Sequence, residues 1–84
     1  MAKVTIYTTR FCPFCVRAKQ LLGSKGVDFE EIPVDGRNDL RKDLLARTGQ
    51  RTVPQIWVGD THVGGCDELM TLERQAQLDE MLAS

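Results

Sequence analysis

Apolar residues change their period along this chain, and the changes mark out its elements. From Lys3 to Thr8, Val4 and Ile6 alternate with Thr5 and Tyr7, the period of a strand. Beyond it, Cys15, Ala18, Leu21 and Leu22 recur at helical spacing. Pro13 suits the first turn of that helix, where its missing N–H would have no partner, and Gly23 and Gly26 offer a stop. Val27 to Val34 reads as a second strand. Its alternation shifts phase between Phe29 and Ile32, as a β-bulge would cause, and Pro33 places it at a sheet edge. After Asp35-Gly36, the stretch Asn38 to Thr48 is helical, with Leu40 and Leu44 on one face and Gly49 past the end. Pro54 to Val58 and Thr61 to Gly64 form two strands of a hairpin turning at Gly59-Asp60. A last helix begins near Cys66 or Asp67 and carries Leu69 and Leu72. Its phase shifts before Leu78, Met81 and Leu82, which predicts a break near Gln75 to Gln77.

The order β-α-β-α-β-β-α predicts an α/β fold. Its first half requires a parallel strand pair with a right-handed crossover, and its second half supplies a hairpin. A mixed four-stranded sheet with three helices over its two faces follows. The 84 residues suffice for one small domain, expected to span residues 1–84. With 11 basic and 12 acidic residues, the net charge of -1 gives no electrostatic case for nucleic acid or an anionic membrane. No stretch is long enough to span a bilayer. Met1-Ala2-Lys3 leads into the first strand without the apolar core of a signal peptide. Three cysteines are an odd number, unlike a secreted framework of paired bridges, so the expected location is the cytoplasm.

The chemistry lies in Cys12-Pro13-Phe14-Cys15, between the first strand and the first helix. Two thiols at this spacing on a helix start are close enough to bridge, and beside a βαβ pattern they indicate thiol–disulfide redox chemistry. Only a thiolate attacks a disulfide. Cys12 is expected to present the exposed sulfur beside unpaired amides, and Cys15 to lie one turn inside. Cys12 is therefore the predicted nucleophile and Cys15 the resolving thiol. Lowering a thiol pKa from about 8.5 to about 5 takes roughly 5 kcal/mol in favour of the charged form. A helix terminus supplies at most about 2 kcal/mol. Hydrogen bonds to the sulfur, about 1.5–3 kcal/mol each, must supply most of the rest, with the amides of Phe14 and Cys15 as the natural donors. Arg10 is either a supporting cation or a solvated surface charge.

Zinc is the competing chemistry, since Cys12, Cys15, His62 and Cys66 reach the required four ligands. Pro13 in a helix start and His62 in a strand point away from it, and His62 reads as an exposed strand residue. Cys66 reads as a small buried hydrophobe. Phe11 and Trp57 are expected to pack or flank the site, with a protein-docking rim as the alternative for Phe11. The charge run Arg37 to Arg47 reads as a solvated helix face.

Cys12-Pro-Phe-Cys15, Thr52-Val53-Pro54 and Gly64-Gly65-Cys66-Asp67, in this order and spacing, resemble the glutaredoxins of the short, dithiol, bacterial type. The resemblance runs from Val4 to about Leu82. It implies the thioredoxin fold and an enzyme that reduces protein–glutathione mixed disulfides and protein disulfides with glutathione, no cofactor being tightly bound. It makes Cys12 the thiol that takes up glutathione and Pro54 a cis-proline facing the cysteines. Val53 would pair its backbone with the glutathione cysteine as an added strand does, within a contact set of Arg10, Phe14, Arg41, Thr52, Val53, Pro54, Gly65, Cys66 and Asp67. Cys66 and Asp67 resemble the turn and helix start that hold the γ-glutamyl carboxylate on unpaired amides, with the Asp67 side chain at the α-ammonium and also suited to cap the helix. Two positions depart from the family pattern: Phe14 stands where Tyr is common, and Thr9 where Lys is common. The cation for the glycyl carboxylate must then come from Arg10, Arg41 or Arg51. The expected state is a monomer, and ribonucleotide reductase is a protein partner the family suggests. Some glutaredoxins instead bridge an iron–sulfur cluster between two subunits through the nucleophile and glutathione. Pro13 and the intact second thiol lean against that alternative.

Overall fold

The structure, a computed structural model, describes residues 2–83. Met1 and Ser84, the ends of the expected single domain, lie outside them. The elements are β1 (Val4–Thr8), α1 (Pro13–Ser24), β2 (Phe29–Pro33), α2 (Asn38–Thr48), β3 (Gln55–Val58), β4 (Thr61–Gly64), α3 (Cys66–Arg74) and α4 (Leu78–Ala83). The sheet order is β2-β1-β3-β4. β1 pairs parallel with β2 and antiparallel with β3, and β3 pairs antiparallel with β4. This is the mixed sheet that the element order requires, with β2 and its Pro33 at an edge.

Each face of the sheet has its own apolar cluster. Val4, Ile6, Ile56 and Val58 pack against Ala18 and Leu22 of α1, Leu69 of α3, and Leu78 and Leu82 of α4. On the other face, Tyr7, Val34 and Trp57 meet Leu44 of α2. The two clusters correct the reading of β2. Its register with β1 runs unbroken from Val4↔Phe29 to Thr8↔Pro33, so β2 has no bulge. Phe29 packs on the first cluster and Ile32 on the second. The phase shift is therefore one strand serving two cores. The ladder irregularity lies between β3 and β4 instead, at Ile56/Trp57.

The expected break at Gln75 to Gln77 separates two helices, so three expected helices become four helical segments. Ala76 adopts φ +58°. Its N–H donates to the Glu73 carbonyl at 3.1 Å, and the Gln77 N–H to that of Leu72 at 2.9 Å. This is a Schellman ending without a glycine. Lys25, at the C-terminal cap of α1, ties this region down through ion pairs of 2.8 Å to both Glu73 and Asp79.

Candidate active site

Cys12 is the N-cap of α1, in extended conformation, and Pro13 occupies the first helical position. An N-cap side chain accepts from the third helical amide. Here that acceptor is Cys12 Sγ, and the Cys15 N–H donates to it at 3.0 Å. Of the two donors expected from sequence, only the Cys15 amide makes this bond. Cys12 and Cys15 are joined as a disulfide, with Cα atoms 5.2 Å apart, inside the range such a bridge needs. Cys12 is 9% exposed and Cys15 1%. The expected order holds, but the Cys12 sulfur is far less open than a helix start alone suggests. Phe11 is 91% exposed, so it flanks the site without being buried there, with Phe14 and Val16 also exposed nearby.

The covering comes from the loop before β3. Cys12 Sγ lies 3.7 Å from the Val53 carbonyl oxygen, and the Val53–Pro54 bond is cis. A cleft of about 270 Å³ opens beside this loop, between Thr52, Val53 and Pro54 on one wall and Gly65, Cys66 and Asp67 on the other, with Phe14 at its rim. Seven residues named from sequence thus converge on one cleft. Gln50 and Glu68 also line it, and neither was anticipated. A second cleft of about 430 Å³ shares Val53 and is lined by Arg41, Lys42 and Arg51 over Leu44 and Leu45. It puts two of the three candidate cations next to the same loop. Arg10 lines neither cleft; its exposed backbone N–H donates to Asp35 Oδ1 at 3.0 Å.

The far wall is the start of α3. Gly65 is its N-cap, and Asp67 and Glu68 lie in the first turn. Having no side chain, Gly65 forms only half of a capping box: Glu68 Oε1 accepts from the Gly65 N–H at 3.0 Å. Cys66 is a buried free thiol. Burial is the main cause pushing its pKa up, with Asp67 and Glu68 adding to the rise and Arg17 opposing it.

Behind the loop lies a cluster that the sequence did not reveal. Arg47 is not merely solvated: its guanidinium sits 4.3 Å from the Trp57 ring centroid and donates to Tyr7 Oη at 3.1 Å. His62 is exposed as expected, yet its ring lies 4.7 Å from Trp57 and its Nε2 is 2.8 Å from Gln55 Oε1. Among the described residues, no group of three or more His, Cys, Asp or Glu side chains is placed to hold a metal ion. The zinc alternative therefore lacks a ligand set.

A sulfur pair that can open and close beneath a neighbouring backbone, on a thioredoxin-like sheet, defines a thiol–disulfide oxidoreductase. The Glutaredoxin family profile matches residues 4–63. The chain is 58% identical over 84 residues to a glutaredoxin of Pseudomonas aeruginosa, covering 100% of both chains. It is 50% identical over 82 residues to glutaredoxin 3 of Escherichia coli, covering 98% of this chain and 99% of that one. A buckwheat glutaredoxin–glutathione complex superimposes with TM-score 0.90 at 35% identity, over 95% of this chain and 76% of that one. Glutaredoxin from Brucella melitensis gives TM-score 0.88 at 48% identity, over 98% and 89%. The chain belongs to the glutaredoxin family.

Proposed function

We propose that this oxidoreductase takes its electrons from glutathione and acts on protein–glutathione mixed disulfides and on protein disulfides. One observation carries the reading: Cys12 Sγ, held by the Cys15 amide, faces Val53 on the rim of the cleft that ends at the first turn of α3. Glutathione is a short peptide with a thiol at its centre and a carboxylate at each end. Val53 offers backbone for the central residue. The amides of Cys66 and Asp67 suit the γ-glutamyl carboxylate, and the Asp67 carboxylate suits the ammonium. Arg41 and Arg51 suit the glycyl carboxylate, replacing the cation that Thr9 cannot provide.

In the one-thiol mode, the Cys12 thiolate attacks the glutathione sulfur of a protein–glutathione mixed disulfide. The protein thiolate leaves and takes up a proton, while glutathione stays disulfide-bonded to Cys12. A second glutathione thiolate attacks that glutathione sulfur, forms oxidised glutathione and frees Cys12. In the two-thiol mode, Cys12 attacks one sulfur of a protein disulfide. Cys15 then attacks Cys12 Sγ, closing the Cys12–Cys15 bond and releasing the protein as a dithiol; two glutathiones reopen the bond. The Cys15 N–H stabilises the Cys12 thiolate each time it leaves. Glutaredoxin potentials of about −200 to −230 mV lie near that of the glutathione pool, so net reduction needs a reduced pool. A cytoplasmic monomer acting on partners such as ribonucleotide reductase fits that requirement.

Two single variants test the assignment. Cys15→Ser should keep reduction of a glutathionylated peptide and lose efficient reduction of a protein disulfide, whereas Cys12→Ser should lose both. Activity of Cys12→Ser on the glutathionylated peptide would refute Cys12 as the nucleophile.

A further inference from the structure

Gln55 is a polar side chain with no solvent exposure, next in sequence to Pro54, on the α2 face of β3. Such burial is tolerated only when the hydrogen-bonding groups are matched. Gln55 Nε2 lies 3.0 Å from the Thr52 carbonyl oxygen and 3.0 Å from Gln50 Oε1. A backbone carbonyl can only accept, which fixes the amide orientation: Nε2 faces Thr52, and Oε1 faces His62 Nε2 at 2.8 Å. His62 Nε2 must then carry a proton to donate to Oε1. Gln55 is thus locked from both ends.

The Thr52 carbonyl and the Val53 N–H belong to the same planar peptide, and in a trans peptide they point in opposite directions. Drawing the carbonyl back onto Gln55 turns the Val53 N–H away from Gln55. That N–H has no partner among the described residues, and Val53 lines the cleft. An unpaired backbone donor held in a fixed direction is what an added peptide strand requires.

We infer that Gln55 is a positioning residue that aims the Val53 N–H at the backbone of the bound glutathione cysteine. This rests on the glutathione reading above. Gln55 acts on peptide recognition and leaves the reactivity of the sulfur to α1, because its side-chain hydrogen bonds go to Gln50, Thr52 and His62 and not to Cys12, Cys15 or the α1 N-terminus.

Two variants separate this role from a general structural one. Gln55→Met keeps the volume and removes the donor and acceptor. Gln55→Glu keeps the shape and the acceptor for His62 but cannot donate to Thr52 when ionised, and it covers the case in which Gln55→Met unfolds. Each is assayed on one peptide carrying either a glutathione or a hydroxyethyl mixed disulfide, and by the rate of Cys12 alkylation with iodoacetamide in the reduced enzyme. The expected result is a KM for the glutathionylated peptide raised about tenfold, the loss of one well-made hydrogen bond. The kcat, the hydroxyethyl substrate and the alkylation rate should stay at wild-type values. A folded variant with wild-type KM for the glutathionylated peptide would overturn the inference alone, as would equal losses on both substrates. A wild-type enzyme that does not discriminate between the two mixed disulfides would overturn the glutathione reading and this inference with it.

Discussion

Two helices, α1 and α3, begin beside the same loop, each with a cysteine at its start, and the two cysteines are chemically opposite. In α1 the cysteine is the N-cap, so its sulfur takes the place of the usual oxygen acceptor and receives the Cys15 amide. The first turn of α1 carries no acid. In α3 the cysteine stands one position later, at the first helical residue, and its sulfur turns into the core. Two acids follow it, and Glu68 rather than a sulfur closes the cap. Burial and those acids push the Cys66 thiol up. A shift of one residue relative to the helix start thus separates a sulfur that caps its helix from one buried in the core. On the proposed glutathione reading, it leaves the amides of α3 to an anion and those of α1 to a thiolate.

The comparison breaks most visibly at Gly64. Its φ of +115° is open to glycine, and an added Cβ would lie 2.6 Å from Glu68 Oε1 and 3.2 Å from Glu68 Cβ. Gly64→Ala must displace Glu68 from the Gly65 N–H and strain the turn. We expect a loss of about 2–3 kcal/mol in urea unfolding, with weaker glutathione binding by the remaining folded protein and an unchanged alkylation rate at Cys12. A variant as stable as wild type would show that Glu68 does not hold this turn.

The parts of this site that were legible in the sequence are the local ones. Cys-Pro-Phe-Cys encodes its own geometry, because the Pro and the two sulfurs lie within one turn. Helix α2 was also readable: Leu40, Leu44 and a terminal Gly49 give period and stop together, and Gly49 takes φ +71°. The rest depended on approach across the chain. Nothing near Val53-Pro54 encodes a cis bond, and only the shared motifs pointed to it. Gln55, Glu68 and Arg47 resemble ordinary polar residues until Thr52, Gly65 and Trp57 come within reach. The misread phase of β2 has the same origin, since a strand alternation assumes one buried face and this strand contributes to two.

The helices also differ in how they are anchored. Lys19 of α1 and Thr8 of β1 both donate to Glu31 Oε2, at 3.0 and 2.7 Å, whereas the end of α3 is held through Lys25. The Thr8 hydroxyl, and secondarily Lys19, hold the Glu31 carboxyl below its ordinary value of 4.5. A lowered carboxyl contributes stability that is present above that value and is lost as pH falls through the folded value. Glu31→Gln should therefore cost on the order of 1 kcal/mol at pH 7, allowing for solvent screening. The difference from wild type should close below pH 4.5. Urea midpoints across pH 7 to 3 measure it, and a gap that persists at the acid end would mean that Glu31 acts through packing instead of charge.

At their C-terminal ends the helices share one motif made with different residues. α1 closes on Gly26 at φ +68°, with the Gly26 and Val27 amides bonded to the Gly23 and Leu22 carbonyls. α3 makes the equivalent pair of bonds around Ala76 at φ +58°. A left-handed conformation sets Cβ against the following carbonyl at a cost of about 1 kcal/mol, which glycine avoids. The greater freedom of glycine in the unfolded chain returns part of that gain. Ala76→Gly is therefore expected to stabilise the fold by about 0.5 kcal/mol, with kcat and KM unchanged because Ala76 lies at the opposite end of α3 from the cleft. The reverse change, Gly26→Ala, should destabilise by a similar amount. If both substitutions shifted the urea midpoint in the same direction, the two endings would not be equivalent, and the separation of α4 from α3 would need a cause other than this turn.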